Sequence, residues 1–158
     1  MSPASKAAQA KVNNQEPIDC MIAICDGFNL LLPSDSVVEI VSGVASEFSE
    51  DSEKPWLQGM LSWRGTTIPL ISFEQQLLNR EARIRGSHVA IMYGTESTSK
   101  MPFYGVTIQA FPHSVQVQSE REFDQIEQHK YENVLMVANL RGIATVIPDL
   151  VAIQKAVS

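Results

Sequence analysis

The chain has 158 residues, 44% apolar and 19% charged, enough to bury a core as one domain or as two small intertwined halves. A net charge of −6 leaves no basic stripe to set against phosphate, which argues against nucleic-acid binding. No apolar run reaches membrane-spanning length and no signal-peptide core opens the chain, so the cytoplasm is the expected compartment, without direct membrane insertion.

Residues 1–17 are mostly Ala, Ser, Lys, Gln and Asn, a composition that predicts a disordered tail, with the folded domain over 18–158. Cys20 to Cys25 is a mostly apolar run and reads as a buried strand. The two cysteines point to opposite faces of it, so a disulfide between them is implausible, and both read as small core or near-surface residues. Asp26-Gly27 is a hairpin turn, with Phe28 to Leu32 as the return strand. Pro33 to Ser36 is a short turn or a single helical turn, and Val37 to Val41 a third strand. Glu39 lies in the middle of it, where a charge is unexpected unless it faces solvent or a partner.

Ser42 to Lys54 carries Glu47, Glu50, Asp51 and Glu53 and reads as a solvated loop. Leu57 to Trp63 and Thr66 to Ile71 then form a hairpin about Arg64-Gly65, with Gly65 free to take positive φ. Pro69 donates no backbone hydrogen bond, which predicts an edge or bulged second strand. Trp63 and Arg64 are neighbours, so alternation sends the indole inward and the guanidinium outward. Ser72 with Gln75 makes a capping box for a short helix, Phe73 to Leu78. The connector from Asn79 to Ser87 holds Arg80, Arg83 and Arg85, a solvated loop or a small anion-binding patch.

His88 to Tyr93 and Met101 to Gln109 are further strands, and Gly105 inside the second marks a close backbone approach. Val115 and Val117 alternate with glutamines as in a half-exposed strand. Ser119 to Asn133 is highly polar and predicts a long loop with room for one helical turn. A last hairpin turns near Asn139 to Gly142, and Pro148 is expected at the first position of a terminal helix reaching about Ala156. The total is nine or ten short strands, the spacing of an all-β barrel or sandwich. A helix follows an Arg-Gly hairpin in each half, a hint of internal duplication.

Very little in the sequence points to catalysis. His88, His113 and His129 lack metal-ligand spacing, and no nucleophile, phosphate-loop or zinc motif is present, so no catalytic residue, metal or cofactor is expected.

Gly59, then Arg64-Gly65, then Pro69 with a hydrophobic pair is similar to the signature of CheW-like domains, the adaptors that couple chemoreceptors to a histidine kinase. Val37 to Ile40, Phe103 to Ile108 and Leu135 to Leu150 resemble further family strands, so the likeness covers about 18–157. The chain departs from the pattern at Asn29-Leu30, at Gln109, where an aspartate is frequent, and in the run from Pro69 to Glu74. The last variant and Trp63-Arg64-Gly65 look more like divergent members that control type IV pili and twitching motility.

The resemblance implies a mainly β fold of two intertwined, SH3-like five-stranded barrels with short helices and a hydrophobic groove between them. It implies no catalysis, and it implies two partners: the cytoplasmic tip of a chemoreceptor and the regulatory domain of a CheA-type histidine kinase. Glu39 and Arg64 match positions close together on the receptor-facing surface. Val37, Ile40, Gly59, Val89 and Gly105 match positions near the partner-binding groove. A small-molecule-binding barrel using that groove, or an enzyme with a site assembled from distant residues, are the alternative readings.

Overall fold

The first turn forms where Gly27 takes φ 100°, and the Cys25 N–H closes it on the Phe28 carbonyl at 2.9 Å. It joins β1 (Ile18–Ile24) to β2 (Asn29–Pro33) in an antiparallel pair. In this computed structural model, which describes residues 16–42, 46–48, 54–78, 88–94, 102–118, 123–128 and 133–157, a 3-10 turn at Ser34–Ser36 leads on to β3 (Val37–Ser42). Then come β4 (Ser46–Phe48), β5 (Leu57–Trp63), β6 (Thr66–Ile71), helix α1 (Phe73–Leu78), β7 (His88–Tyr93) and β8 (Phe103–Ile108). The chain continues through β9 (His113–Val117), β10 (Phe123–Gln128), β11 (Val134–Leu140), β12 (Ile143–Pro148) and helix α2 (Leu150–Val157).

The strands form two six-stranded sheets. The first runs β3-β7-β8-β6-β5-β4, and the second β10-β11-β12-β2-β1-β9. The second is thus completed by the hairpin from the start of the chain, which is how the halves intertwine. Each sheet contains one parallel pairing, β6 with β8 and β12 with β2. Five strands of each sheet make the mainly β architecture that the resemblance implies. The sixth is β4 in one sheet and β10 in the other, each on an edge.

Duplication is visible in the hydrogen bonds. Arg64-Gly65 and Arg141-Gly142 both have two positive φ angles (46° and 74°, 54° and 84°), the type I′ turn that matches strand twist. The Ser72 hydroxyl accepts from the Gln75 N–H at 3.2 Å, and the Asp149 carboxylate accepts from the Ala152 N–H at 3.0 Å, so both helices are capped three residues ahead. The Ser72 N–H donates to the Trp56 carbonyl and the Asp149 N–H to the Asn133 carbonyl, at 2.8 and 2.9 Å. All five residue pairs stand at one constant offset along the chain.

Three apolar clusters follow from this layout. Leu61, Trp63, Ile68, Leu70, Val89 and Ile91 fill the first sheet, and Cys20, Leu31, Val117 and Leu140 the second. The largest cluster draws on both sheets and both helices, with Leu30, Val146, Met92, Tyr104, Phe73 and Ile153 among its members. The halves therefore share a core.

Several expectations need correcting. The acidic loop contains β4, and the polar loop before Asn133 contains β10. Edge strands draw their hydrogen bonds from one neighbour and need no apolar face, so composition did not reveal them. Pro69 is on a central strand, not an edge. It is tolerated because the ladder to β8 begins only at Leu70. Pro148 ends β12, and Asp149 supplies the helix cap. The capping box at α1 is half made, since the Ser72 N–H goes to Trp56. The predicted tail, apart from Glu16 and Pro17, lies outside the described residues, as do Arg80, Arg83, Arg85 and His129.

Candidate docking surface

Glu39 and Trp63 come from strands that are not paired: β3 is one edge of the first sheet and β5 lies beside the other edge. Their side chains nevertheless meet. The indole Nε1–H donates to Glu39 Oε1 at 2.5 Å, and Arg64 Nη2 donates to Oε2 at 3.0 Å. The sheet must curl for this contact to form, so the carboxylate bridges its seam. Val38 and Val41 of β3 pack on the cluster that contains Leu61 and Trp63, which closes the same seam with apolar contact.

Local backbone explains how the three side chains converge. The β3–β7 register shifts between Val37 and Glu39, which re-aims the carboxylate. Trp63 is the last residue of β5 and points inward, 8% exposed. Arg64 is the first turn residue; its side chain is 64% exposed, and its guanidinium carbon lies 4.8 Å from the Trp63 ring centroid. An indole N–H, a guanidinium fork and a ring face thus hold one carboxylate, itself 33% exposed.

The aromatic contacts continue from Trp63. Its ring meets Phe103 edge-on at 5.0 Å, and Phe103 meets Tyr93 at 5.9 Å. Tyr93 lies opposite Phe103 in the β7–β8 register and is 48% exposed. Sequence reading missed this run, because the Trp63–Phe103 contact depends on how the sheet curls.

The other residues named by the resemblance lie lower. Val37 and Ile40 are half-buried against the shared core. Gly59, Val89 and Gly105 are buried. Gly59 takes φ 146° where the β5–β6 register slips. A Cβ on Gly105 stands 2.8 Å from Val89 Cγ1 and 3.1 Å from Leu70 Cδ1, so the crowding here comes from packed side chains and not from the close backbone approach expected of it. These three are buried, while Glu39 and Arg64 meet in partly exposed positions.

Two further features lie elsewhere. Glu74 of α1 is 1% exposed, and its Oε2 accepts from the Asp26 N–H and from Gln109 Nε2, both at 3.0 Å. Gln109 N–H also donates to the Ile24 carbonyl at 2.8 Å, so the pair clasps the β1–β2 turn to the first sheet. Glu74 and Gln109, both read from the sequence as departures from the resemblance, thus bond to each other. An open groove of about 470 Å³ lies over β1 and β9, lined by Asp19, Met21, Ser34, Ser114 and Gln116 among others.

Among the described residues no three His, Cys, Asp or Glu side chains are grouped to hold a metal ion. No described helix is long and apolar enough to cross a membrane. Both cysteines are free and buried, Cys20 in the second sheet's cluster and Cys25 in the shared core. Burial pushes both thiols up, with Asp19 adding to the effect at Cys20 and Glu74 and Asp26 at Cys25.

The geometry is thus a curled two-sheet β fold with Arg64 and Glu39 paired at the seam of its first sheet. The chain belongs to the CheW-like family: the model of the CheW-like domain matches residues 19–156. Its fold is similar to that of the scaffolding protein TtCheW from Thermoanaerobacter tengcongensis, with a TM-score of 0.65 over 85% of this chain and 86% of that one, at 16% identity. No curated protein matches the chain.

Proposed function

We propose that this CheW-like protein is a non-enzymatic, cytoplasmic scaffold adaptor that couples a chemoreceptor to a histidine kinase. The observation that carries this reading is the Glu39–Trp63–Arg64 cluster, a preorganised surface feature with the guanidinium mostly in solvent. The receptor tip docks on that face, and a CheA-type regulatory domain docks elsewhere on the fold. Association with membrane-bound receptor arrays follows from the first contact. The Trp63-Arg64-Gly65 and Ser72-Phe73-Glu74 variants favour a system that controls type IV pili and twitching motility.

The alternative, a small-molecule barrel using a groove between the halves, fits less well. The shared core occupies the space between the sheets, and the 470 Å³ groove is open and lies over strands of one sheet. Titration of the purified protein with a soluble chemoreceptor cytoplasmic fragment, and separately with a kinase regulatory domain, tests the adaptor reading. Saturable binding to both is expected. Binding to neither overturns it.

A further inference from the structure

We infer that the docking surface is bipartite. The exposed ring of Tyr93 receives an apolar side chain of the receptor, and Arg64 receives a carboxylate. This inference rests on the adaptor reading and adds to it a recognition element, Tyr93 on its Phe103 support.

The geometry is a continuous run. Tyr93 leans on Phe103, Phe103 on Trp63, and the Arg64 guanidinium lies over Trp63 and is tied to Glu39. The inner members are held by packing, while the two ends, Tyr93 and Arg64, face solvent. Tyrosine and arginine at the rim of packed aromatics are the residue types that dominate interface energies, because little side-chain freedom remains to be lost on binding. Charge sets the chemistry of the occupant. Among the described residues the guanidinium is held through Nη2, by Glu39, and the fork has further N–H donors suited to a second carboxylate. The matching surface therefore offers an acidic side chain beside an apolar one.

The test measures binding of a soluble chemoreceptor cytoplasmic fragment to the full chain and to the Tyr93→Ala, Tyr93→Phe and Arg64→Ala variants, over a range of salt. A kinase regulatory domain serves as the second probe. Tyr93→Ala is expected to weaken receptor binding about five- to tenfold at every salt concentration, and Tyr93→Phe to stay within about twofold of the parent. Arg64→Ala is expected to weaken binding and flatten its salt dependence. Melting temperature and kinase-domain binding should hold for all three. Receptor binding unchanged in Tyr93→Ala overturns the bipartite surface and leaves the adaptor reading standing. Loss of kinase-domain binding in Tyr93→Ala, alone or together with receptor binding, also overturns it. A parent protein that binds no receptor fragment overturns the adaptor reading, and this inference with it.

Discussion

Glu39 holds Trp63 by its indole N–H at 2.5 Å across the seam of the first sheet, so the two residues close the barrel as well as shape its surface. The Glu39–Arg64 pair alone does not have this property. The indole is 8% exposed, whereas the guanidinium stands mostly in water. One carboxylate thus serves a buried donor and an exposed one, and the two bonds should differ in energetic weight.

Arg64→Ala removes an exposed partner and is expected to cost only about 0–1 kcal/mol of folding stability. Glu39→Ala leaves the Trp63 N–H without its acceptor in a nearly buried setting and should cost about 1–3 kcal/mol. Chemical denaturation of both variants checks the order. Equal costs would place the weight of the cluster on the ion pair. Reversing both charges, with Glu39→Arg and Arg64→Glu, should restore receptor binding only in part, since the Trp63 donor then faces a cation.

Gly105→Ala places a methyl against Val89 and Leu70 inside the first sheet, and overpacking of this kind costs about 1–3 kcal/mol. Gly65→Ala meets nothing within 4 Å and is strained only by its φ of 74°, at about 1–2 kcal/mol. The two should separate in function. Gly105→Ala is expected to alter receptor binding through displaced Val89, and Gly65→Ala to leave it within about twofold of the parent if Arg64 keeps its place.

How much of this was legible beforehand varies with the physics of each element. The Arg64-Gly65 hairpin, the Ser72 cap and the packed Gly105 were readable, because turn chemistry, capping and a glycine inside a strand are local signals. The Glu39–Arg64 pairing came from family resemblance, since its strands lie at opposite sides of one sheet. The contribution of Trp63 to that pairing needed three dimensions. β4 and β10 escaped because an edge strand is defined by backbone pairing with one neighbour, which composition does not report.

Tyr104 is fully buried in the shared core, and its hydroxyl has no hydrogen-bond partner among the described residues. Removing an unpartnered polar atom eliminates a desolvation cost, so Tyr104→Phe is expected to be neutral or stabilising by about 1 kcal/mol. A loss of more than that in thermal melts would mean that the hydroxyl is satisfied in solution.

Glu74→Ala strips an acceptor from both the Asp26 N–H and the Gln109 amide and should cost about 1–3 kcal/mol. Hydrogen exchange at Asp26 reports the clasp directly, and its protection should fall in this variant. Unchanged exchange there would show that the backbone bond from Gln109 to Ile24 holds the turn unaided.

The raised thiols carry a pH signature. Burial favours neutral Cys20 and Cys25, so neither should react readily with a thiol reagent in the folded protein near pH 8. The unfolded chain loses these protons first. Their contribution to stability is therefore fully present below the ordinary value of 9.0 and falls as the pH rises past it. Denaturation midpoints at pH 8 and above pH 9 check the sign, with Cys25→Ala as the control that should reduce the slope.

Coupling of receptor to kinase is measured by retention of a histidine kinase on receptor-bearing vesicles. Kinase, receptor vesicles and this protein are mixed and sedimented, with the protein left out in a parallel sample. The adaptor account predicts kinase in the pellet in proportion to added protein, with Arg64→Ala reducing the yield and kinase-domain affinity unchanged. Kinase that stays in the supernatant at saturating protein contradicts it.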